Sequence, residues 1–178
     1  CRSTAKGATP AAQTRDAGEV PFLKVYNMDP GGFVDLTYKP TFIPRAAHAG
    51  ELGRSRVFPR DVLMNIVGPP LGKVAVVPED LPEANINQAI AVFRPIRVEP
   101  AFLELCLSAP ALFSWALGRA KRTSTQLNLT LELCRDYPMP LPPPDERQSI
   151  LDLLGATTGT LHAERRCLAA LRSSKMAL

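Results

Sequence analysis

Several features that would place a chain in a familiar functional class are scarce in this sequence of 178 residues. It has two histidines and four cysteines, and the cysteines stand far apart, with no CxxC pair and no histidine cluster beside them. That spacing argues against a metal site and against a disulfide framework. We therefore expect Cys106 and Cys134, which have apolar neighbours in the sequence, to be buried free thiols in a reducing cytoplasm.

Long apolar runs and strong net charge are lacking as well. No stretch approaches the length that spans a bilayer, and the net charge of +4 is modest for a nucleic-acid-binding protein. The charge is unevenly placed, since residues 1–60 carry nine Lys/Arg against five Asp/Glu, whereas residues 61–100 carry three against five. This distribution favours an edge that faces a polyanion but does not establish one.

A recognisable catalytic constellation is also missing. His48 with the nearby Glu51 is weak support for acid–base chemistry, because no Ser or Cys lies in a nucleophile elbow. The segment GPPLGK, which ends at Lys73, is one residue too short for a phosphate-binding loop, and Val74 follows it where Ser or Thr would hold magnesium. We interpret this segment as a hairpin turn, with Lys73 facing either a phosphate or plain solvent.

What the sequence does contain is a body of short elements, since 46% hydrophobic residues suffice for one ordinary domain with an appendage. Residues 1–19 are small and polar and are predicted to be a loop, and residues 44–60 a loop or a weak helical turn. Residues 100–120 have helical spacing and predict two short helices, or one helix kinked at Pro110. Alternation and turn residues predict strands within residues 20–28, 33–43, 61–67, 72–77, 87–96 and 126–133.

A proline-rich hinge follows this body. Residues 137–146 (YPMPLPPPDE) contain five prolines and can form neither a helix interior nor a central strand. Asp145 and Glu146 then place acid on the first turn of a helix, where negative charge is favourable. The sequence predicts a globular domain over residues 1–144 and a projecting helix over residues 145–178.

The predicted C-terminal helix has the spacing of a coiled coil. An isolated helix of that length needs a partner that buries its apolar stripe, although Gly155 and Gly159 each weaken it by about 1 kcal/mol relative to alanine. The hinge favours a helix that leaves the body and pairs with another; the alternative is a helix folded back on its own domain. The seam, with spacings of four and three, comprises Ile150, Leu154, Thr157, Leu161, Glu164, Leu168 and Leu171.

Polar and basic side chains collect in loops, and those loops are our candidates for DNA contacts. Cations, hydroxyls and amides are the groups that contact phosphates and base edges, although a solvated loop is the alternative for each set. Asn85, Asn87 and Gln88 could read adenine edges, but for Asn87 and Gln88 we favour a structural role. The candidates are Arg119, Lys121, Arg122, Thr123, Ser124 and Gln126, then Arg45, His48, Arg54 and Arg56, and finally Lys73, Tyr26 and Asn27.

Three blocks of sequence, taken in order, resemble a known family. They are GEVPFLKVYNM, RDVLMNIVGPPLGKVAVVPEDLPEANINQAIAVFRP and TSTQLNLTLELCRDYPMPLPPPDERQSI. The chain resembles, over nearly its whole length, one target recognition domain of the specificity subunit of type I restriction–modification enzymes. It departs from the family pattern at Arg60, where a glycine usually precedes Asp61, and at Arg147, which separates Glu146 from Gln148.

The resemblance implies an α+β fold, with a compact target recognition domain that has a small twisted β-sheet and short helices, followed by a long spacer helix. It implies a non-catalytic chain that reads one half of a bipartite site in double-stranded DNA. Methyltransferase subunits would dock on it, and through them the restriction subunit. S-adenosylmethionine, ATP and magnesium would belong to those partners, with no cofactor in this chain.

A full subunit of this family has two such domains and two spacer helices, whereas this chain has one domain and part of one helix. We expect half of a subunit, a fragment that begins at Cys1, or a product that pairs as a homodimer or with a second recognition domain through its C-terminal helix. A methyltransferase or nuclease fragment is disfavoured because its motifs are lacking. A protein-interaction module that never touches DNA stays open, and the modest net charge supports it.

Overall fold

The computed structural model of the chain describes residues 3–10, 13, 19–29, 31–69, 71–122 and 126–155. Contacts divide the chain into two units, residues 1–139 and residues 140–178. The first unit mixes short strands with short helices, as the sequence predicted, but it contains two small four-stranded sheets rather than one.

The strands of the described part of the chain are β1 (Ser3–Lys6), β2 (Val20–Leu23), β3 (Phe42–Ile43), β4 (Arg56–Val57), β5 (Val62–Asn65), β6 (Val74–Val76), β7 (Ala84–Ile86), β8 (Ile90–Arg94), β9 (Lys121–Arg122) and β10 (Leu127–Asn128). The helices are α1 (Arg45–Ala49), α2 (Pro100–Ser108), α3 (Pro110–Leu117), α4 (Leu131–Arg135) and α5 (residues 144–155).

The central sheet has the strand order β1-β8-β5-β6, and each neighbouring pair is antiparallel. The predicted hairpin is confirmed as β5 and β6. Both faces of this sheet are covered, so all four residues of β5 are buried and its sequence is a continuous apolar run rather than an alternation. Val62 and Met64 face a cluster that includes Leu103 and Leu107 of α2, whereas Leu63 faces the opposite cluster.

The outer sheet has the order β3-β2-β7-β4, in which β2 and β7 are parallel and the other pairs antiparallel. One face packs on the central sheet through Leu23, Ala84 and Ile86. The other face carries a small cluster with Phe22 and Leu52, and Ala47 of α1 packs against that cluster. The layers are therefore α2 with α3, the central sheet, the outer sheet and α1.

An ion pair joins the start of β5 to the end of β8. The buried carboxylate of Asp61 accepts two hydrogen bonds from the guanidinium of Arg94, at 2.8 and 2.7 Å, and a third from the Phe58 main-chain N–H at 2.9 Å. The hydrogen bonds to Asp61 are the first cause of a raised pKa of Arg94. Arg60, beside this pair, has φ of +70°, a left-handed conformation that glycine adopts most easily.

Several sequence predictions are wrong in detail. Residues 3–6 are not a loop but the edge strand β1, because their main chain pairs with β8 although their side chains are small and polar. Residues 25–27 form a 3-10 turn instead of extending β2. Residues 131–135 are α4 rather than strand, since the Thr130 hydroxyl accepts a hydrogen bond from Leu133 N at 3.1 Å and caps a helix.

Other predictions are confirmed. The helical stretch breaks before Pro110, and α2 and α3 are bent by 60°. Cys106 and Cys134 are buried and free. In the described residues no single helix is long and apolar enough to cross a membrane, although α2 and α3 together meet that test by length and composition.

The second unit contains α5, which begins at residue 144, so Asp145 and Glu146 lie in its first turn as predicted. Arg147 donates from its guanidinium to the Pro142 carbonyl at 2.8 Å. Leu153 is 74% exposed on this helix. The predicted seam beyond residue 155 and the second glycine at position 159 lie outside the described residues.

Candidate nucleic-acid interface

The β9–β10 ribbon carries the first set of basic candidates. It follows α3, whose last turn holds Trp115, and the guanidinium of Arg119 stacks on that ring at 4.5 Å from its centroid. Arg119 also donates to the Trp115 carbonyl at 3.3 Å. Lys121, the first residue of β9, and Gln126, which directly precedes β10, are exposed. Thr123 and Ser124 lie outside the described residues, and Arg122 pairs with Leu127 through the main chain.

Main-chain hydrogen bonds fix the ribbon to the turn of the β5–β6 hairpin. Gly68 N donates to the Leu127 carbonyl at 3.2 Å, and Leu129 N donates to the Ile66 carbonyl at 2.9 Å. On the far side of the same turn, the Lys73 ammonium donates to the Met28 carbonyl at 3.1 Å. Lys73 is therefore partly buried and holds the loop of residues 24–41 against the hairpin, instead of standing free in solvent.

Tyr26 and Asn27 both lie on this 24–41 loop but differ in their burial. The Asn27 amide donates to the carbonyls of Asp35 and Tyr38, at 2.9 and 2.8 Å, and its oxygen accepts from Lys24 N at 2.9 Å. Asn27 is buried, so these bonds give it a structural role. Tyr26, in contrast, is 37% exposed.

The second basic set lies around α1, beside the outer sheet. His48 is buried, and its Nδ1 lies 2.6 Å from Oδ1 of the buried Asn85. Because Asn85 Nδ2 donates to the Leu52 carbonyl and to the Ser55 hydroxyl, both at 2.8 Å, its Oδ1 accepts and His48 Nδ1 donates. His48 therefore supports the fold from inside, and its side chain does not face solvent.

The arginines of this second set differ among themselves. Arg56 donates from Nε to the His48 carbonyl at 3.1 Å, and Arg45 forms an exposed ion pair with Glu83 at 3.0 Å. Arg54 is exposed and lines a cavity of about 390 Å³ with Lys6, Glu51 and other residues. Arg45 and Arg56 are thus both bonded to other residues of the same chain.

Comparisons with known proteins were made at three levels. No family model and no curated protein matches the chain. Among solved structures, the HsdS subunit from Thermoanaerobacter tengcongensis has 18% identity and a TM-score of 0.62, and the match covers 97% of this chain and 46% of that one. The chain has the fold of a type I specificity subunit.

A second solved structure, from work on complex assembly and conformational transition of the type I R-M system, matches with 18% identity and a TM-score of 0.62. That match covers 96% of this chain and 39% of the other, so the chain spans less than half the length of the structures it matches. The predicted resemblance to type I specificity subunits is thus confirmed at the level of the fold.

Within the specificity-subunit fold, two of the candidate segments are hydrogen-bonded to the same turn. The ribbon and the 24–41 loop flank the β5–β6 turn, which is bonded to the ribbon through Gly68 and to the loop through Lys73. Sequence reasoning missed Tyr38 and Lys39 on this loop, because residues 33–43 were predicted to be strand. The aromatic–lysine pair directly before Pro40 was the signal that could have found them.

Burial raises the pKa of several titratable groups in the described part of the chain. No group of three or more His, Cys, Asp or Glu residues within the described ranges could hold a metal ion. Burial raises the pKa of the Cys134 thiol to about 11, which disfavours the reactive thiolate. Burial also raises the pKa of Glu104 on α2 to about 7, and this carboxyl lies against Gly32, where a Cβ would collide with it.

Proposed function

We propose that this chain is a non-catalytic DNA-reading unit of a type I restriction–modification system, which recognises one half of a bipartite duplex site. The observation that supports this most is the likeness to specificity-subunit structures along 96–97% of the chain. The geometry of the ribbon adds to it, because exposed cations there stand next to an exposed amide.

Within this proposal the ribbon contacts the DNA backbone and base edges. The guanidinium of Arg119 is held in place by Trp115 and uses one donor on a carbonyl, so further N–H groups stay available for phosphate oxygens. Lys121 supplies a second cation for a neighbouring phosphate. Gln126, which directly follows the three hydroxyl residues of the loop in the sequence, is the group suited to a base edge.

The proposed partners follow from the same assignment. Methyltransferase subunits dock on the chain, and S-adenosylmethionine, ATP and magnesium are bound by those partners and by the restriction subunit. The helix α5, on which Leu154 of the predicted seam is 38% exposed, supports a role for the second unit in pairing with another spacer helix. A second spacer helix comes from another copy of this chain or from a second recognition domain.

Duplex binding by a matched pair of double variants tests this proposal. In the ribbon variant, Arg119→Gln and Lys121→Gln remove two exposed cations; in the control, Arg45→Gln and Arg54→Gln remove the same charge from the α1 region. We expect the ribbon variant to bind about 10-fold more weakly at about 50 mM salt, with the slope of log K against log salt reduced by about 2. The control should bind within about twofold of the parent.

Two results would contradict the proposal. One is a parent protein whose affinity for duplex DNA does not depend on salt; the other is an equal loss in both variants, which would indicate a diffuse charge effect. In cells that carry the matching methyltransferase, methylation of a bipartite motif should disappear with the ribbon variant and persist with the control. Persistence of the motif after deletion of this gene would favour a protein-interaction module instead.

A further inference from the structure

An aromatic–lysine cluster, formed by Tyr26, Tyr38 and Lys39, lies on the surface of the 24–41 loop. The two tyrosine rings meet edge to face at 6.0 Å, with 80° between their planes. The Lys39 ammonium lies over both rings, at 5.9 Å from the centroid of Tyr26 and 5.2 Å from that of Tyr38. Tyr38 is 49% exposed, so the cluster presents an apolar ring and a cation side by side.

The loop beneath the cluster is held by the buried Asn27 amide and by the exposed Asp35 carboxylate. The Tyr38 carbonyl accepts from the Asn27 amide at 2.8 Å, and the Tyr38 N–H donates to the Asp35 carboxylate at 3.2 Å. The Asp35 carboxylate also accepts from the main chain and the hydroxyl of Thr37, each at 2.7 Å. Hydrogen bonds within the chain therefore fix both the N–H and the carbonyl of Tyr38.

The titration of Asp35 agrees with this arrangement. Partial burial acts to raise the pKa of Asp35, but the hydrogen bonds from Thr37 and Tyr38 outweigh it and hold the pKa below its usual value. The carboxylate is thus ionised and engaged inside the loop. The Asp29 carboxylate likewise accepts from Gly31 N, so both acids of the loop bond to their own main chain, whereas Lys39 is exposed.

The main chain at Lys39 is strained. Its φ is +48°, a left-handed conformation that is uncommon for residues other than glycine. The Tyr26 hydroxyl stabilises it by donating to the Lys39 carbonyl at 3.3 Å, and lies 3.1 Å from the Thr41 hydroxyl. Strain of this kind persists where the surrounding structure over-determines it, and it concentrates at binding sites. Burial does not account for it here, because Tyr38 and Lys39 are both exposed.

We propose that Tyr38 and Lys39 form a second DNA contact, in which Lys39 binds a backbone phosphate and the Tyr38 ring packs against an adjacent sugar or base. This inference rests on the proposed function. A preformed aromatic ring beside a cation is the pair that proteins use on nucleic acids, since the ring takes the apolar face and the cation the phosphate. The Lys73 bond to Met28 joins this loop to the hairpin turn to which the ribbon is also bonded.

The test uses the full chain and a labelled random-sequence duplex of about 30 base pairs at about 50 mM salt. Tyr38→Ala should weaken binding about 10-fold, whereas Tyr38→Phe, which keeps the ring, should stay within about twofold. Lys39→Asn removes the charge with a residue that tolerates positive φ, and it should weaken binding about fivefold and reduce the salt slope by about 1. Arg54→Gln on the α1 side is the charge-matched control.

The outcomes distinguish a failure of this inference from a failure of the proposed function on which it rests. If Tyr38→Ala and Lys39→Asn bind like the parent while the ribbon variant does not, the second contact is wrong and DNA recognition stands. If the parent binds no duplex, both are wrong. If the two variants keep DNA affinity but lose assembly with the methyltransferase subunit, the cluster is a protein-docking surface and the inference is overturned. If Tyr38→Ala fails to fold, the DNA affinities of Lys39→Asn and Arg54→Gln are compared. Weaker binding by Lys39→Asn alone supports the inference, and equal binding by the two variants overturns it.

Discussion

Two basic segments look alike in the sequence and differ in the structure. Around α1, the segment of residues 45–56 contributes its histidine to the interior and two of its arginines to partners in the protein. On the ribbon, Arg119 rests on Trp115 and Lys121 is exposed. A cluster of cations in a sequence is therefore not a binding surface until the partners of each side chain are known.

The difference between the two segments arises from the residues that lie beneath each of them. Residues Ala84 and Ile86 of β7 face the core between the sheets, so the alternation of the strand directs Asn85 to the other face, towards α1. A buried amide must be satisfied, and it draws His48, Ser55 and the Leu52 carbonyl around it. The ribbon is joined to the β5–β6 turn through main-chain hydrogen bonds, and the side chain of Lys121 stays exposed.

The largest effect should come from breaking the network under the first segment. Asn85→Ala removes three buried hydrogen bonds and leaves the buried Nδ1–H of His48 without its acceptor, so we expect a loss of about 3 kcal/mol in the free energy of unfolding. Lys121→Ala, the matched change on the ribbon, should cost less than about 0.5 kcal/mol. Urea denaturation measures both, and equal losses would remove the distinction between the segments.

An intermediate effect is expected at α2, where the Glu104 side chain lies against Gly32 of the 24–41 loop. Ribbon and α3 follow α2, whose Glu104 has its pKa raised to about 7 by burial. The folded protein thus holds this proton above the usual pKa of the carboxyl, and its stability falls as the pH rises from about 4.5 through 7. Glu104→Gln should remove that fall and gain about 2 kcal/mol above pH 7, after allowance for partial exposure.

Denaturation midpoints at pH 5 and pH 8 measure this effect. At the lower pH the variant and the parent should be similar, whereas Asn85→Ala should be destabilised at both values. A gain of equal size at both pH values would show that Glu104 acts through packing and not through its charge.

The smallest effect is expected at the surface of the first segment. Arg45 and Glu83 form an ion pair whose side chains are 60% and 64% exposed. Arg45→Ala should change the free energy of unfolding by less than about 0.5 kcal/mol, because solvent screens such pairs. Thermal denaturation at low and high salt measures this change. A loss as large as that of Asn85→Ala would mean that the exposed arginines, and not only the buried histidine, stabilise the α1 region.

The sequence predicted the elements whose signals are local. The β5–β6 hairpin, the break before Pro110 and the burial of both described thiols follow from apolar runs, turn residues and proline. It failed at β1 and at α4. The first is a strand only because β8 offers an edge, and the second depends on one hydroxyl cap in a pattern that alternates like a strand.

The candidate site divides in the same way. The sequence identified the ribbon's cations because charge and polarity are properties of single residues. It could not separate the buried His48 from the exposed Arg54, nor find Tyr38 and Lys39, because exposure and ring contacts depend on residues distant in the chain.

The sequence by itself determined the fold class, the order of the main elements and the resemblance to type I specificity subunits, since these depend on periodicity, prolines and the order of short motifs. The tertiary structure alone decided which polar groups are satisfied inside and which are presented outside. It also gave Arg60 and Lys39 their left-handed conformations. Burial and backbone geometry are settled by packing between segments far apart in the chain, and no local pattern carries that information.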